Sequence, residues 1–111
     1  MTDGARAGFA ITVAFDLVEG GLSEFLRMVK ENAALSVAQE AGCLRFDVLT
    51  PLDAGGTGVL LYEVYTDDEA YDQHLASEHF GTFNRHSRAL VRSKTVTRFA
   101  VAIHEEERDP A

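Results

Sequence analysis

Cysteine occurs once in this 111-residue chain, proline twice and tryptophan not at all. The lone Cys43 excludes an internal disulfide framework and any multi-thiolate metal site within one chain. Cations are also scarce, with 10 Lys and Arg against 18 Asp and Glu and a formal net charge of -8. Phosphate neutralisation needs clustered cations, so nucleic acid is excluded as the main partner, and an anionic membrane surface with it. No apolar run approaches the ~18 residues of a membrane span. Residues Met1 to Gly8 lack the apolar core of a signal peptide. The expected location is the cytoplasm, with Cys43 reduced. What remains is ordinary globular composition, 46% hydrophobic and 25% charged, of a length that fits one core.

Alternation marks the first strand. Phe9, Ile11, Val13 and Phe15 share one face, with small residues between them. After Gly20-Gly21 the period becomes helical. Leu22, Phe25, Leu26, Val29, Ala33 and Val37 form one stripe, predicting a helix over roughly 21–40 that starts on a Gly or Ser23 cap. Gly42 is expected to end it with a positive φ. Cys43 to Thr50 reads as a second strand, with Leu44, Phe46 and Val48 opposite Arg45 and Asp47. Residues 51–58 form a turn-rich loop, and Val59 to Tyr65 the hairpin partner. On that strand Leu60, Tyr62 and Val64 oppose Glu63 and Tyr65. Thr66-Asp67-Asp68-Glu69 starts a second helix that turns Ala70, Tyr71, His74 and Leu75 inward. Ser77-Glu78 predicts a break, after which Phe80, Phe83, Ser87, Leu90 and Val91 continue. Lys94 to Ile103 is the last strand.

The order β-α-β-β-α-β predicts an α+β, ferredoxin-like domain over 9–103. It is flanked by a disordered segment, 1–8, and an acidic flexible tail, 104–111. Both helices cover one sheet face. The other is expected to carry Arg45, Asp47, Glu63 and Tyr65 among aliphatic residues, too apolar for open water. A second copy of the sheet is the simplest cover, which gives a homodimer, a dimeric α/β barrel.

The stretches Glu31-Asn32, Ser36 and Gly42-Cys43-Leu44-Arg45-Phe46-Asp47-Val48, with Tyr62-Glu63-Val64-Tyr65, His74, Ser77-Glu78-His79-Phe80 and Phe83, resemble an antibiotic biosynthesis monooxygenase domain. The resemblance covers roughly 9–103. It implies one of several chemistries: cofactor-independent oxygenation of quinols or anthrones, haem degradation, or isomerisation of a phosphorylated autoinducer. The haem degraders use an Asn, a Trp and a His, and this chain has no Trp.

Asn32 and Ser36 extend the row Phe25–Val29 on the first helix. They are either a hydrogen-bonded structural pair or a polar contact to substrate, and the resemblance favours Asn32 as the group that binds a carbonyl or developing oxyanion. His74 is either a satisfied core histidine or a general base. His79 shares its face only if the helix breaks at Ser77. His86 and His104 are expected at the surface. His74 and His79 lack the i,i+4 spacing of two converging imidazoles, and no carboxylate stands in an obvious third position, so no metal site is expected. Nor is a flavin, for want of a dinucleotide fingerprint. Arg45 is either a cross-strand ion-pair partner of Glu63 or an anchor for a charged substrate. Phe46, Tyr62, Phe80 and Phe83 either pack the core or line an aromatic pocket. Cys43 has no visible catalytic partner and is expected to be inert.

These readings converge on a cofactor-independent monooxygenase for a small phenol, quinol or polyketide-like molecule. His74 and Asn32 carry the chemistry, and Ser36, Phe46, Tyr62, His79, Phe80 and Arg45 bind substrate. The alternatives are an isomerase of a small carbonyl compound, phosphorylated or not, and a binding module without turnover.

Overall fold

The computed structural model describes residues 6–53 and 55–103. Residues 1–5 of the predicted segment 1–8, and the whole predicted tail 104–111 with His104, lie outside them. Gly8, within the expected loose start, donates its N–H to the Tyr65 carbonyl at 3.1 Å.

The chain runs β1 (Phe9–Leu17), α1 (Leu22–Gln39), β2 (Cys43–Leu49), β3 (Gly58–Tyr65), α2 (Asp68–Leu75), α3 (Glu78–Ser87), a short 3-10 turn (Arg88–Leu90) and β4 (Val91–Ala100). The sheet is antiparallel in the order β2-β3-β1-β4. With the helices this is the ferredoxin-like arrangement. Among the described residues no helix is long and apolar enough to cross a membrane.

Local chemistry sets the boundaries. Gly21 caps α1. The Asp67 carboxylate accepts the Ala70 N–H at 2.8 Å and starts α2. Ser77 does the same for α3, accepting the Phe80 N–H at 3.2 Å, so the predicted break is a true interruption. Phe15, Phe25 and Phe83 knit sheet to helices, with ring centroids 4.9 Å apart for Phe15–Phe25 and 5.5 Å for Phe25–Phe83.

Several expectations need correction. Gly42 does not take a positive φ, which among the described residues only Gly20 and Gly55 do. Its hydrogen is needed for a close approach, since a Cβ there would stand 2.5 Å from the Cβ of Ala70. Leu44 is left out of the β2 face by a bulge between Cys43 and Arg45, which turns Cys43 inward instead. Val37 and Leu75 are exposed, because the buried row of α1 runs Phe25, Val29, Asn32, Ala33, Ser36 and that of α2 ends at His74.

The largest correction concerns β3. Glu63 pairs with Ile11 and Tyr65 with Phe9, so both face the helices, as do Val59 and Leu61. The outer face therefore carries Leu60, Tyr62 and Val64 beside Arg45, Asp47, Leu49 and Phe99. Arg45 cannot meet Glu63. Its guanidinium pairs with Asp47 at 2.7 Å and lies 5.8 Å from the Tyr62 ring centroid. On β4, Lys94, Val96 and Arg98 share the helix-side face, yet β4 is open to solvent almost throughout.

Candidate functional site

Three helix ends meet over the inner face of the sheet. Along α1, Asn32 and Ser36 continue the buried row, and Glu40 caps the helix, its N–H bonded to the Ser36 carbonyl at 3.0 Å. His74 stands in the last turn of α2 and His79 in the first turn of α3. The Ser77 hydroxyl accepts from Phe80 N–H and donates to the His74 carbonyl at 2.7 Å, fixing the angle between the two short helices.

His74 is 2% exposed. Its Nδ1 lies 2.9 Å from Glu40 Oε2 and 3.3 Å from Ser36 Oγ. The Ser36 hydroxyl donates its single hydrogen to the Asn32 carbonyl at 2.7 Å. Towards the imidazole Ser36 can therefore only accept, as can an ionised Glu40. Nδ1 must carry the hydrogen, and in the neutral ring Nε2 holds the lone pair. Burial pushes the His74 pKa down and outweighs the opposing hydrogen bond and charge of Glu40. The contact is thus a hydrogen bond from a neutral ring more than an ion pair. Among the described residues nothing is bonded to Nε2.

Aromatic rings surround this imidazole. Phe80 stands 5.2 Å away by centroid, Tyr65 5.7 Å, Phe46 5.9 Å and Tyr71 6.3 Å. A cavity of about 40 Å³ opens beside it, lined by Asn32, Glu63, His74, Phe80, Lys94 and Val96 among others. A larger groove of about 300 Å³ lies between α1 and α3, with Asn32, Leu35, His79 and Phe83 on its walls. Asn32 faces both, and its Oδ1 is buried with no donor.

Of the candidates read from sequence, Asn32, Ser36, His74, His79, Phe46 and Phe80 gather here. Arg45 and Tyr62 do not, since both lie on the opposite face of the sheet. Two acids at the site were not foreseen. Glu40 Oε2 also bonds His79 Nε2, so the carboxylate joins both histidines. The i,i+4 steps Asn32–Ser36–Glu40 were the available signal, masked by the expectation that the helix ended there. The two imidazoles thus converge after all, with a carboxylate as third group. The ligand atoms of Glu40, His74 and His79 lie within 4.8 Å of one another.

The second acid, Glu63, is 2% exposed, and its Oε1 accepts the Tyr65 hydroxyl at 2.6 Å. Burial pushes its pKa up to about 7, against the lowering effect of the Tyr65 bond. Burial likewise raises the Tyr65 hydroxyl and drives the Cys43 thiol up to about 12, which leaves Cys43 a neutral packing residue.

No curated protein matches the chain. Solved structures do. A candidate antibiotic biosynthesis monooxygenase from Bacteroides thetaiotaomicron superposes with a TM-score of 0.83 at 21% identity, covering 96% of this chain and 100% of that one. PA3566 from Pseudomonas aeruginosa gives 0.79 at 22%, covering 91% and 100%. Rv0793 from Mycobacterium tuberculosis gives 0.79 at 22%, covering 89% and 99%. At such identities the likeness is one of fold. The family model for antibiotic biosynthesis monooxygenase matches residues 8–86. That span holds Asn32, Ser36, Glu40, Glu63, His74 and His79, and the chain belongs to the antibiotic biosynthesis monooxygenase family.

Proposed function

We propose that this chain is a cofactor-independent monooxygenase of a small, electron-rich phenol or quinol. The observation that carries the reading is the pair of contacts at His74 Nδ1, 2.9 Å from Glu40 Oε2 and 3.3 Å from Ser36 Oγ, which favour the ring hydrogen on Nδ1. A neutral imidazole with its hydrogen directed at Glu40 and its lone pair on Nε2 is a prepared general base. The buried Asn32 Oδ1 lacks a donor, which the second hydroxyl of a quinol supplies while the first directs its hydrogen at His74 Nε2.

The chemistry balances without a cofactor. His74 Nε2 takes the phenolic proton. The electron-rich anion gives one electron to dioxygen, and the resulting pair combines at a ring carbon as a peroxide. Loss of water leaves a carbonyl at that carbon. One oxygen atom ends in the product, the other in water, and the substrate is the reductant. The aromatic ring of side chains keeps bulk water from the anion. A 40 Å³ cavity is smaller than such a substrate, which enters by displacing Lys94 and Val96 on the uncovered side of β4. We also propose a homodimer, supported by the exposed Leu49, Leu60, Tyr62 and Phe99 on the outer sheet face.

An oxygen electrode tests the reading with a panel of quinols, anthrones and catechols. Uptake matched by quinone product supports it. A folded, dimeric protein inert towards every panel member contradicts it.

Glu63 favours a second reading. It lines the same cavity as His74, and its pKa of about 7 makes it an acid facing a base. That pairing suits proton transfer beside a carbonyl, an isomerisation. Product formation with no oxygen uptake would select it.

A further inference from the structure

Glu40 Oε1 is buried and has no donor among the described residues. The other oxygen of the same carboxylate stands against two imidazole nitrogens, His74 Nδ1 and His79 Nε2. We propose that Glu40, His74 and His79 form a binding site for one divalent transition-metal ion of the zinc, cobalt or nickel class.

The donor set selects the class. Two imidazoles and one carboxylate suit borderline metals, whereas magnesium and calcium favour shells built of oxygen. The spacing also fits. Metal–ligand bonds of about 2.0–2.2 Å put two ligand atoms of a tetrahedral ion roughly 3.3–3.6 Å apart. The His74–Glu40 separation is 2.9 Å, and all three ligand atoms fall within 4.8 Å of one another. Small side-chain shifts bring them onto one ion, and three protein ligands leave a fourth position open. The ligands come from the end of α1, the end of α2 and the start of α3, and the two Ser77 hydrogen bonds hold the last two in register. This trio is assembled by the break between α2 and α3, not by one helix, so the absence of i,i+4 spacing does not count against it.

An ion on His74 Nδ1 would leave the ring hydrogen on Nε2. That is the opposite tautomer to the one Ser36 and Glu40 select. Metal loading and general-base action at His74 therefore exclude one another. This consequence rests on the base reading of His74, but the site itself does not.

The test is equilibrium dialysis of the chelator-stripped full chain against Co²⁺ and Zn²⁺, with the visible spectrum of the Co²⁺ form. One ion per chain with ligand-field bands is expected, together with at least about tenfold weaker binding in Glu40→Gln and in His79→Ala. The surface change His86→Ala should leave affinity as it is, and millimolar Mg²⁺ should not displace Co²⁺. Circular dichroism confirms that each variant is folded. Absence of Co²⁺ bands in the wild type, or binding indifferent to both substitutions, would overturn the site, as would displacement by Mg²⁺. Zn²⁺ that fills the site should also stop oxygen uptake by the wild type. Continued uptake by the Zn²⁺-filled protein would contradict the base reading and leave the metal site standing.

Discussion

The Ser36 hydroxyl lies 3.3 Å from His74 Nδ1 and gives its hydrogen to the Asn32 carbonyl. A serine on one helix thereby dictates which nitrogen of a histidine on another can act as a base. In ¹⁵N-labelled protein at neutral pH, the His74 ring should show the hydrogen on Nδ1. A ring protonated on Nε2 would remove the basis for base catalysis in the apo protein.

Glu40→Gln should disturb that arrangement without disturbing packing. The amide can present an N–H to Nδ1 and so push the hydrogen to Nε2. Turnover should fall by about 10²–10⁴, the range lost when general-base catalysis fails, while oligomeric mass and folding stay unchanged. Steady-state oxygen uptake, light scattering and circular dichroism measure the three.

Most of the α1 row, the Ser77 break and the order of elements along the chain were legible in the sequence, because caps and periodicity are local signals. The face of β3 was not. Leu60, Tyr62 and Val64 are as bulky as Val59, Leu61 and Tyr65, so alternation alone could not say which set turns inward. Only pairing with Ile11 and Phe9 decides it. Phe9, Ile11, Val13 and Phe15 had no such rival, since small residues separate them. Glu40 escaped because its partners come from 34 and 39 residues away.

Glu63 makes stability depend on pH. Its folded pKa of about 7 lies above the ordinary carboxylate value, so the folded state holds a proton the unfolded chain releases. The associated stability is fully present below the ordinary value and is lost as pH rises through about 7. The loss is on the order of 3 kcal/mol. Urea midpoints at pH 5 and pH 8 should reveal it in the wild type. Glu63→Gln, still able to accept the Tyr65 hydroxyl, should flatten it.

Gly42→Ala should destabilise by about 1–3 kcal/mol. The added methyl would collide with Ala70 at 2.5 Å, and the φ of Gly42 offers no other reason for glycine. Equilibrium unfolding of the single variant checks this. An unchanged midpoint would mean α2 yields freely to the methyl.

Leu60→Asp should leave the fold intact and separate the proposed dimer. Leu60 is 38% exposed on the outer face, where a carboxylate can be hydrated in the monomer but not against a second sheet. Light scattering should give about twice 12.1 kDa for the wild type and 12.1 kDa for the variant. A wild-type monomer would refute the dimer.

In the proposed reaction His74 takes the proton that lets dioxygen react. The direct measurement is oxygen uptake by chelator-treated wild type and His74→Ala on the same quinol or anthrone, with folding of the variant verified by circular dichroism. Saturable uptake by the wild type and a rate lower by about 10²–10⁴ in the variant are expected. A folded His74→Ala protein that turns over at the wild-type rate would contradict that role of His74.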